Sequence, residues 1–346
     1  MRVLVVGGTG FIGSHVVRRL AAAGHHVGVY QRGETPADLP PAVEFWHGDR
    51  ADPAALGAAV AQAAPDVVLH MVALAARDAE AAVAACAGRV GRLVAVSSID
   101  VYRARNRLFG VEPGPPDPVP LAEDAPLREV LYPYRATAPG PDHVTYDYDK
   151  IPVERAVLGH PELAGTVLRL PMVYGPGDGY HRLSEWLRRM AAGRPAIPLG
   201  AGRAGWCWSR GYVENVAHAT ALATTDGRAA GGVYNVADAV GADHAGDGLA
   251  LTEADWVRVV GRAAAWGGEV VTVPDASLPE PFGRPLDWRQ HLVGDTRKLR
   301  EELGYAEPVS LDEALRRTVA WERAHPPAAP APVDFGAEDA ALAARR

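Results

Sequence analysis

Residues 2–13 read Arg-Val-Leu-Val-Val-Gly-Gly-Thr-Gly-Phe-Ile-Gly, and this stretch decides the fold. The aliphatic run 3–6 is typical of a strand buried on both faces of a parallel sheet. Glycines at 7, 8, 10 and 13 follow it, and then a helical pattern of apolar residues begins. A helix that starts at a tight glycine turn offers free N–H groups and the positive end of its dipole to an anion. The stretch therefore predicts a dinucleotide site, the alternative being a sharp turn with no ligand.

Composition limits the class of protein. The chain has 346 residues, of which 48% are apolar, and a net charge of −7 with both signs spread along it. This length suits one large α/β unit with a smaller companion, and the charge gives no basic surface for nucleic acid. Two cysteines form neither a disulfide framework nor a metal-binding spacing. No apolar run is long enough to span a membrane and no signal peptide is predicted, so we expect a cytoplasmic protein without metal.

The second predicted strand, 27–30, bears on cofactor choice. An acidic residue is expected about 20 residues after the glycines, where it would hold the adenosine ribose of NAD. Gln31 stands there instead, and Arg32 follows. A guanidinium suits a 2′-phosphate, whereas a carboxylate would repel it. NADP(H) is therefore favoured over NAD(H), unless Arg32 is only a solvated loop charge.

Further strands alternate with Ala-rich helices. Strands are predicted at 43–47, 66–72 and 92–98, and Asp49 follows the first of these, where it either meets the cofactor or caps the helix at 53–63. This alternation predicts an α/β protein with a Rossmann-type doubly wound parallel sheet. Its dinucleotide-binding domain would span 1–171.

The remaining chain is predicted to add a smaller C-terminal substrate-binding lobe. Residues 103–143 are Pro-rich and read as an irregular insertion, either a lid over the strand ends or a disordered segment. The lobe, 172–325, is built mainly from segments near 172–213 and 237–292, while 213–236 and 293–303 return to the Rossmann core. Predicted helices lie at 182–192, 213–225, 252–265, 295–303 and 310–324, and predicted strands at 165–170 and 232–236. The Pro/Ala-rich tail 326–346 is expected to be flexible.

Candidate catalytic residues lie at two places. Tyr146 and Lys150 are four apart in a segment, 145–157, that we predict to be helical, hence on one face. An ammonium group beside a phenol stabilises the phenolate, which makes proton exchange with an alcohol or ketone feasible. Ser98, at the end of the fifth strand, would hold the substrate oxygen, or it is only a cap or turn residue.

The order of these motifs resembles the extended short-chain dehydrogenase/reductase superfamily, in its NAD-dependent epimerase/dehydratase branch. The resemblance covers residues 1 to about 325. The segments that carry it are the glycine loop 7–13, Gly48-Asp49-Arg50, Ser97-Ser98-Ile99-Asp100-Val101-Tyr102, Tyr146–Lys150, Leu168-Arg169-Leu170-Pro171, Tyr174-Gly175-Pro176-Gly177, Gly211-Tyr212-Val213-Glu214-Asn215-Val216-Ala217, Val233-Tyr234-Asn235-Val236, Asp295-Thr296-Arg297-Lys298 and Leu303-Gly304-Tyr305.

The resemblance implies roles for particular residues. Ser98, Tyr146 and Lys150 would form the catalytic triad, and Asp100 falls where related sugar dehydratases carry a general acid. The implied cofactor contacts are Gly7, Thr9, Gly10, Phe11, Ile12, Gly13, Gln31, Arg32, Asp49, Arg50, Met71, Ala73, Lys150 and Pro171. The implied substrate contacts are Ser98, Met172, Tyr174, His181, Trp208 and Arg210. The family also implies a small-molecule substrate and a homodimer.

At two positions this chain differs from the family pattern in a way that bears on which substrate it binds. Where members that act on nucleotide sugars commonly carry an Asn, this chain has Met172. Where an Arg usually clamps the diphosphate, the chain reads Trp206-Cys207-Trp208-Ser209-Arg210, so Arg210 or Arg203 would have to substitute. Otherwise the pocket is more apolar and aromatic than a diphosphate site, unless the tryptophans are core.

Three functions stay open on the sequence. The first is an epimerase or dehydratase that transiently oxidises a sugar-like carbinol with bound cofactor. The second is an NADPH-dependent reductase of a small ketone or aldehyde that uses the same residues. The third, a non-catalytic binding relative, is disfavoured by the intact Ser98, Tyr146 and Lys150.

Overall fold

A computed structural model of the chain describes residues 1–35, 38–239, 250–279, 285–330 and 332–344. Within these ranges no helix is both long and apolar enough to cross a bilayer. The strands are β1 Arg2–Val6, β2 His26–Gln31, β3 Glu44–His47, β4 Val67–His70, β5 Arg92–Ser98, β6 Ala164–Leu170, β7 Met172–Tyr174, β8 Ala196–Gly200, β9 Arg210–Tyr212, β10 Val233–Asn235 and β11 Glu269–Val273. The α-helices are α1 Phe11–Ala22, α2 Pro53–Ala63, α3 Ala76–Cys86, α4 Arg103–Leu108, α5 Lys150–Leu158, α6 Ser184–Ala191, α7 Ala201–Gly205, α8 Val213–Thr225, α9 Glu253–Ala263, α10 Arg297–Leu303, α11 Leu311–Ala324 and α12 Phe335–Ala343.

A seven-stranded parallel sheet forms the centre, in the order β10-β6-β5-β4-β1-β2-β3. Its middle strands are rich in Val and Leu and buried on both faces, because helices cover each side. One face packs against α1 and α8, and the other against α2, α3 and α5. The predicted doubly wound fold is confirmed. Its strand order reverses between β1 and β4, the place where such sheets bind dinucleotides.

The second part of the chain adds two small parallel sheets. β7 pairs with β9, and β8 pairs with β11. Helices α6, α7, α9 and α11 pack around them. α8 and β10 return to the central sheet, with α8 against α1 and β10 beside β6.

The insertion 103–143 is fixed to both parts of the molecule. It contains α4 and a short 3₁₀ turn at Arg135–Thr137. Leu121 is buried, and its N–H donates to the carbonyl of Val293 at 2.7 Å. The Arg128 side chain is also buried, where its Nε donates to the carbonyl of Asp100 at 2.6 Å. These contacts do not fit the disordered alternative. Closure over a substrate stays a prediction.

The C-terminal tail differs from the expectation of a flexible extension. Residues 335–343 form α12, capped by the Asp334 side chain, which accepts from Ala337 N at 2.9 Å. Ala341 of α12 is buried against Val271 and Val273 of β11. Ion pairs join α12 to the lobe, one from Arg189 to Glu338 at 2.7 Å and one from Arg194 to Asp339.

Candidate active site

The glycine turn forms an anion cradle between β1 and α1. Gly7 has φ +85°, which the turn out of the strand requires. A Cβ on Gly13 would stand 2.4 Å from the carbonyl oxygen of Gly7, so only glycine lets helix and turn pack this closely. Gly10 caps α1 in an extended conformation, and no described side chain caps this helix end. A Cβ there would meet nothing within 4 Å. The open helix terminus is suited to a pyrophosphate.

A cavity of about 160 Å³ continues from the cradle towards the ends of β2 and β3. Thr9, Gln31, Arg32 and Arg50 are among its lining residues. Gln31 Oε1 is buried and has no hydrogen-bond partner in the described parts of the chain, whereas Arg50 Nε lies 3.3 Å from Asp78 Oδ1 in an ion pair. A buried polar atom without a partner is costly, and a ligand that supplies the partner removes this cost. The residues therefore fit a dinucleotide with its adenosine end in this cavity.

Two predicted contacts near this cavity have partners of their own. Arg32 pairs with Glu34 at 2.8 Å, and both side chains are more than half exposed. Asp49 Oδ1 accepts from Ala51 N at 2.9 Å within the turn. The helix α2 is capped by Asp52 and not by Asp49, because Asp52 Oδ1 accepts from Ala54 N at 2.9 Å.

The other predicted cofactor contacts lie around the same edge of the sheet. Phe11 and Ile12 are half-buried in the first turn of α1, and Met71 is buried just after β4. The Ala73 carbonyl accepts from Lys150 Nζ at 2.6 Å. Pro171 joins β6 to β7 and lies beside Gly211, where a Cβ would be 3.0 Å from its ring.

Lys150 is buried under this edge. It is the first residue of α5, and Asp149 caps that helix by accepting from Ile151 N at 2.9 Å. Its Nζ also donates to the Val96 carbonyl at 3.0 Å, which ties it to β5. Burial lowers the pKa of Lys150 to about 8, although the nearby carboxylates Asp78 and Glu154 oppose the shift.

Ser98 and Asp100 are brought together by the turn after β5. The Ser98 hydroxyl oxygen accepts from Asp100 N at 3.1 Å, so the residue acts as the turn cap that was the alternative to a catalytic role. In this bond the hydroxyl oxygen is the acceptor, so the O–H group of Ser98 can still donate a hydrogen bond. Asp100 Oδ2 accepts from the Tyr134 hydroxyl at 3.0 Å. Burial, followed by the Asp100 charge, raises the pKa of Tyr134 to about 12.

The helical prediction for Tyr146 is wrong. α5 begins at Lys150, and Tyr146 lies before it in a turn, where its N–H donates to the carbonyl of His143 at 2.9 Å. The pair Tyr146 and Lys150 therefore does not share a helix face. The phenol that contacts the Lys150 ammonium is Tyr148, whose ring centroid lies 5.7 Å from Nζ.

Two buried networks support this region and were not predicted. Asp149 pairs with Arg128 at 2.9 Å, with both side chains buried. Glu154 pairs with Arg169 at 2.8 Å and accepts from the Ser97 hydroxyl at 2.5 Å. The signal for Asp149 was present in the sequence, since an Asp directly before an apolar helical run is a typical N-cap.

A second cavity, of about 360 Å³, lies between the lobe and the edge of the sheet. Tyr174, Trp208, Arg210, Asp238 and Trp256 line it with others. Four buried atoms of its lining residues lack a hydrogen-bond partner among the residues that the structure describes, namely Tyr174 Oη, Trp208 Nε1, Arg210 Nε and Asp238 Oδ1. Three of these are donors and the carboxylate is an acceptor. Burial raises the pKa of Asp238 to about 7.

The cationic groups near this cavity are already neutralised. Arg210 forms an ion pair with Glu253, and its guanidinium lies 4.5 Å from the ring centroid of Trp256. Arg203 pairs with Glu185 at 2.9 Å and with Glu253 at 3.3 Å. Burial lowers the pKa of Arg210, while the charge of Glu253 opposes that shift.

The predicted substrate contacts are only partly gathered here. Tyr174, Trp208 and Arg210 share the 360 Å³ cavity, and Met172 is the strand partner of Arg210. His181 instead stacks on Trp321 at 5.4 Å, and its Nδ1 lies 2.8 Å from Glu322 Oε2. These contacts tie it to α11, and it is absent from the described lining of the cavity.

A doubly wound sheet with a glycine cradle at its switch point and a buried lysine beside it defines an NAD(P)-dependent oxidoreductase. The chain belongs to the NAD dependent epimerase/dehydratase family, whose model matches residues 3–110 and 121–237. The predicted family is thereby confirmed, and with it an NAD(P)-dependent enzyme of the extended short-chain dehydrogenase/reductase type.

Particular relatives include two reductases and an epimerase. A 2′-dehydrokanamycin reductase of Streptomyces kanamyceticus is 37% identical over 215 residues, which are 60% of this chain and 53% of that protein, so the match spans about half of it. A 3-diazoavenalumate denitrifying reductase of a Streptomyces species is 30% identical over 335 residues, which are 94% of this chain and 97% of that protein. Among solved structures, a UDP-glucose 4-epimerase of Thermus thermophilus in complex with NAD is 27% identical, with a TM-score of 0.63 and coverage of 94% of this chain and 100% of that one.

Proposed function

We propose that this protein is an NADPH-dependent reductase of a ketone or aldehyde on a neutral, hydroxyl-bearing small molecule. The observation that carries the proposal is the pairing of Arg210 with Glu253. A nucleotide diphosphate needs free cations, because buried charge must be compensated. Here Arg210 and Arg203 both face carboxylates, so these two arginines offer a nucleotide sugar little uncompensated charge.

The cavity of the lobe favours a neutral polar ligand instead. Tyr174 Oη, Trp208 Nε1 and Arg210 Nε can each donate to a hydroxyl or carbonyl oxygen, and Asp238 can accept from a hydroxyl. The Trp208 and Trp256 side chains also line the cavity, and aromatic rings suit the apolar face of a sugar-like ring. The names of the two Streptomyces relatives, both reductases, support net reduction.

The cofactor preference rests on the end of β2. Gln31 gives no carboxylate to repel a 2′-phosphate, and Arg32 lines the cavity beside it. An exposed ion pair such as Arg32 with Glu34 contributes about 1 kcal/mol or less, so a phosphate can compete for the guanidinium. We therefore expect NADPH to bind more tightly than NADH.

Bound NADPH supplies a hydride to the carbonyl carbon. The cradle at Gly7–Gly13 would hold its pyrophosphate, and Lys150, beneath the same edge of the sheet, would meet the nicotinamide ribose, as the family resemblance implies. Ser98 can donate its hydroxyl proton to the carbonyl oxygen and so orient it. A phenol ahead of Lys150 then gives the oxygen its proton.

The test distinguishes a reductase, which consumes its cofactor, from an epimerase, which regenerates the cofactor that it keeps bound. Purified protein is denatured, and any released cofactor is identified by mass. Fresh protein is then given NADPH or NADH with a panel of neutral ketones, including dihydroxyacetone, 2,3-butanedione and keto-sugars, and separately UDP-glucose. We expect NADPH consumption matched by alcohol formation. Retained NAD with conversion of UDP-glucose to UDP-galactose would overturn the proposal in favour of an epimerase.

A further inference from the structure

Two tyrosines precede Lys150, and their surroundings differ. Tyr146 belongs to the outer part of its turn. The Arg135 guanidinium lies 4.9 Å from its ring centroid, and Arg135 Nε donates to its carbonyl at 3.3 Å. The next residue, Asp147, pairs with Arg135 and with Arg77 through partly exposed side chains. These contacts direct Tyr146 towards a surface cluster of charges.

Tyr148 instead contacts residues of the candidate active site. Its ring packs edge-on against Tyr134, with centroids 5.4 Å apart, and lies 5.7 Å from Lys150 Nζ. Tyr134 donates to Asp100, whose N–H donates to Ser98. An unbroken series of contacts therefore joins Tyr148 to both other residues of the expected triad.

We propose that Tyr148, and not Tyr146, is the residue that donates the proton during carbonyl reduction. This inference rests on the proposed function and departs from the spacing that the family resemblance implies. The carbonyl carbon accepts a hydride, the π-electron pair of the C=O bond moves to oxygen, and that oxygen takes the Tyr148 hydroxyl proton. The phenolate left behind is balanced by the Lys150 ammonium and takes a proton from water.

The electrostatic surroundings keep Tyr148 protonated before the reaction. Burial raises the pKa of Tyr148, and the charge of Asp100 adds to the effect. Tyr134 and Asp149 act in the same direction, while Arg128 opposes them. The phenol therefore stays protonated until the alkoxide forms, and the nearby ammonium then stabilises the phenolate.

The decisive experiment compares Y146F, Y148F and a matched control. Tyr180 is 83% exposed and lies outside both cavities, so Y180F serves as the control. Each variant is assayed with NADPH and the ketone of the panel that the unchanged protein reduces fastest. We expect Y148F to lose about 10²–10⁴-fold in kcat with little change in NADPH affinity. Y146F and Y180F should keep kcat of the same order as the unchanged protein. A large loss in Y146F together with retained turnover in Y148F would overturn the inference.

A second measurement needs no ketone. The chain is labelled with 3-fluorotyrosine, and the fluorine resonances of Tyr146 and Tyr148 are assigned by their absence in the two Phe variants. Adding NADP⁺ should shift the Tyr148 resonance and leave that of Tyr146 in place. The reverse pattern would contradict the inference even if the reductase proposal holds. Failure of every ketone with the unchanged protein would instead contradict the proposed function.

The labelling also covers the case in which Y148F does not fold. Fluorination lowers the pKa of a phenol, so it should move the pH profile of kcat. If Tyr148 is the donor, fluorination should shift the pH profile of kcat by the same amount in Y146F as in the unchanged chain. If the shift disappears in Y146F, Tyr146 is the donor.

Discussion

Replacing Asp149 by Asn tests how Lys150 is held at the candidate active site. Asp149 is fully buried and makes three contacts through its carboxylate: Arg128 Nη2 at 2.9 Å, Ile151 N at 2.9 Å and Tyr132 N at 2.6 Å. Asn keeps an oxygen for the cap but presents an NH₂ group to a second donor and leaves the Arg128 charge buried without compensation.

Breaking one side of a buried ion pair costs about 3–5 kcal/mol. In a protein of this size, each kcal/mol lowers Tm by about 2 °C, so D149N should melt on the order of 6–10 °C below the unchanged chain. NADPH affinity should also fall, because Lys150 directly follows the residue whose contacts with Arg128 and Tyr132 are disturbed. Thermal and urea unfolding followed by circular dichroism measure the first effect, and fluorescence titration measures the second.

Arg135 provides the matched control for this experiment. Its pair with Asp147 is exposed, at 41% and 38%, and such a pair contributes about 1 kcal/mol or less. R135Q should therefore change Tm by no more than about 2 °C. Equal losses in D149N and R135Q would refute the reasoning. The double variant D149N/R128M should recover part of the loss, because it removes the uncompensated charge.

Three more predictions concern the cradle, the buried lysine and the lobe. G13A should weaken NADPH binding at least about tenfold in a fluorescence titration, because its Cβ would meet backbone at 2.4 Å, whereas G57A, with nothing within 4 Å, should bind normally. Because burial lowers the pKa of Lys150 to about 8 from 10.5, the unfolded chain binds more protons between these values. In urea unfolding, the free energy of unfolding of the unchanged protein should rise by up to about 3 kcal/mol relative to that of K150M as the pH rises between these two values. A difference between the two proteins that does not change with pH would contradict the lowered pKa. E253Q should raise UDP affinity by at least about tenfold in calorimetry by exposing uncompensated guanidinium charge, and E185Q, which removes a 42% exposed carboxylate, should raise it less.

The central sheet could be predicted because its signals are local. Runs of Val and Leu, the glycine turn and the alternation with helices need only short stretches of chain. The helices at 182–192, 213–225, 252–265, 295–303 and 310–324 were likewise predicted within a few residues of α6, α8, α9, α10 and α11.

The failures share a physical cause, which is contact between distant parts of the chain. The segment before Lys150 is not helical because Arg128, Tyr132 and Leu74 hold its last residue, Asp149, from outside. A sequence shows that Arg210 is basic but not that Glu253, 43 residues away, neutralises it. His181 suited a substrate pocket equally well until its partner Glu322 was known, 141 residues further on.

The helix α12, at the end of the tail that was expected to be flexible, was missed for the same reason. This helix has only nine residues, Phe-Gly-Ala-Glu-Asp-Ala-Ala-Leu-Ala, so it carries little local signal. Glu338 and Asp339 find their arginine partners 149 and 145 residues earlier in the chain. Both small strands it covers, β8 and β11, were also missed.

This covering of β11 by α12 has a consequence for biosynthesis. Val271 and Val273 leave the ribosome about 60 residues before the helix that covers them. During synthesis, each chain therefore passes through a stage in which the apolar side chains of β11 are uncovered. The helix α12, which is made later, then covers this apolar surface. Chains that are truncated before α12, or that carry a bulky fusion in its place, should aggregate although their seven-stranded sheet is still folded.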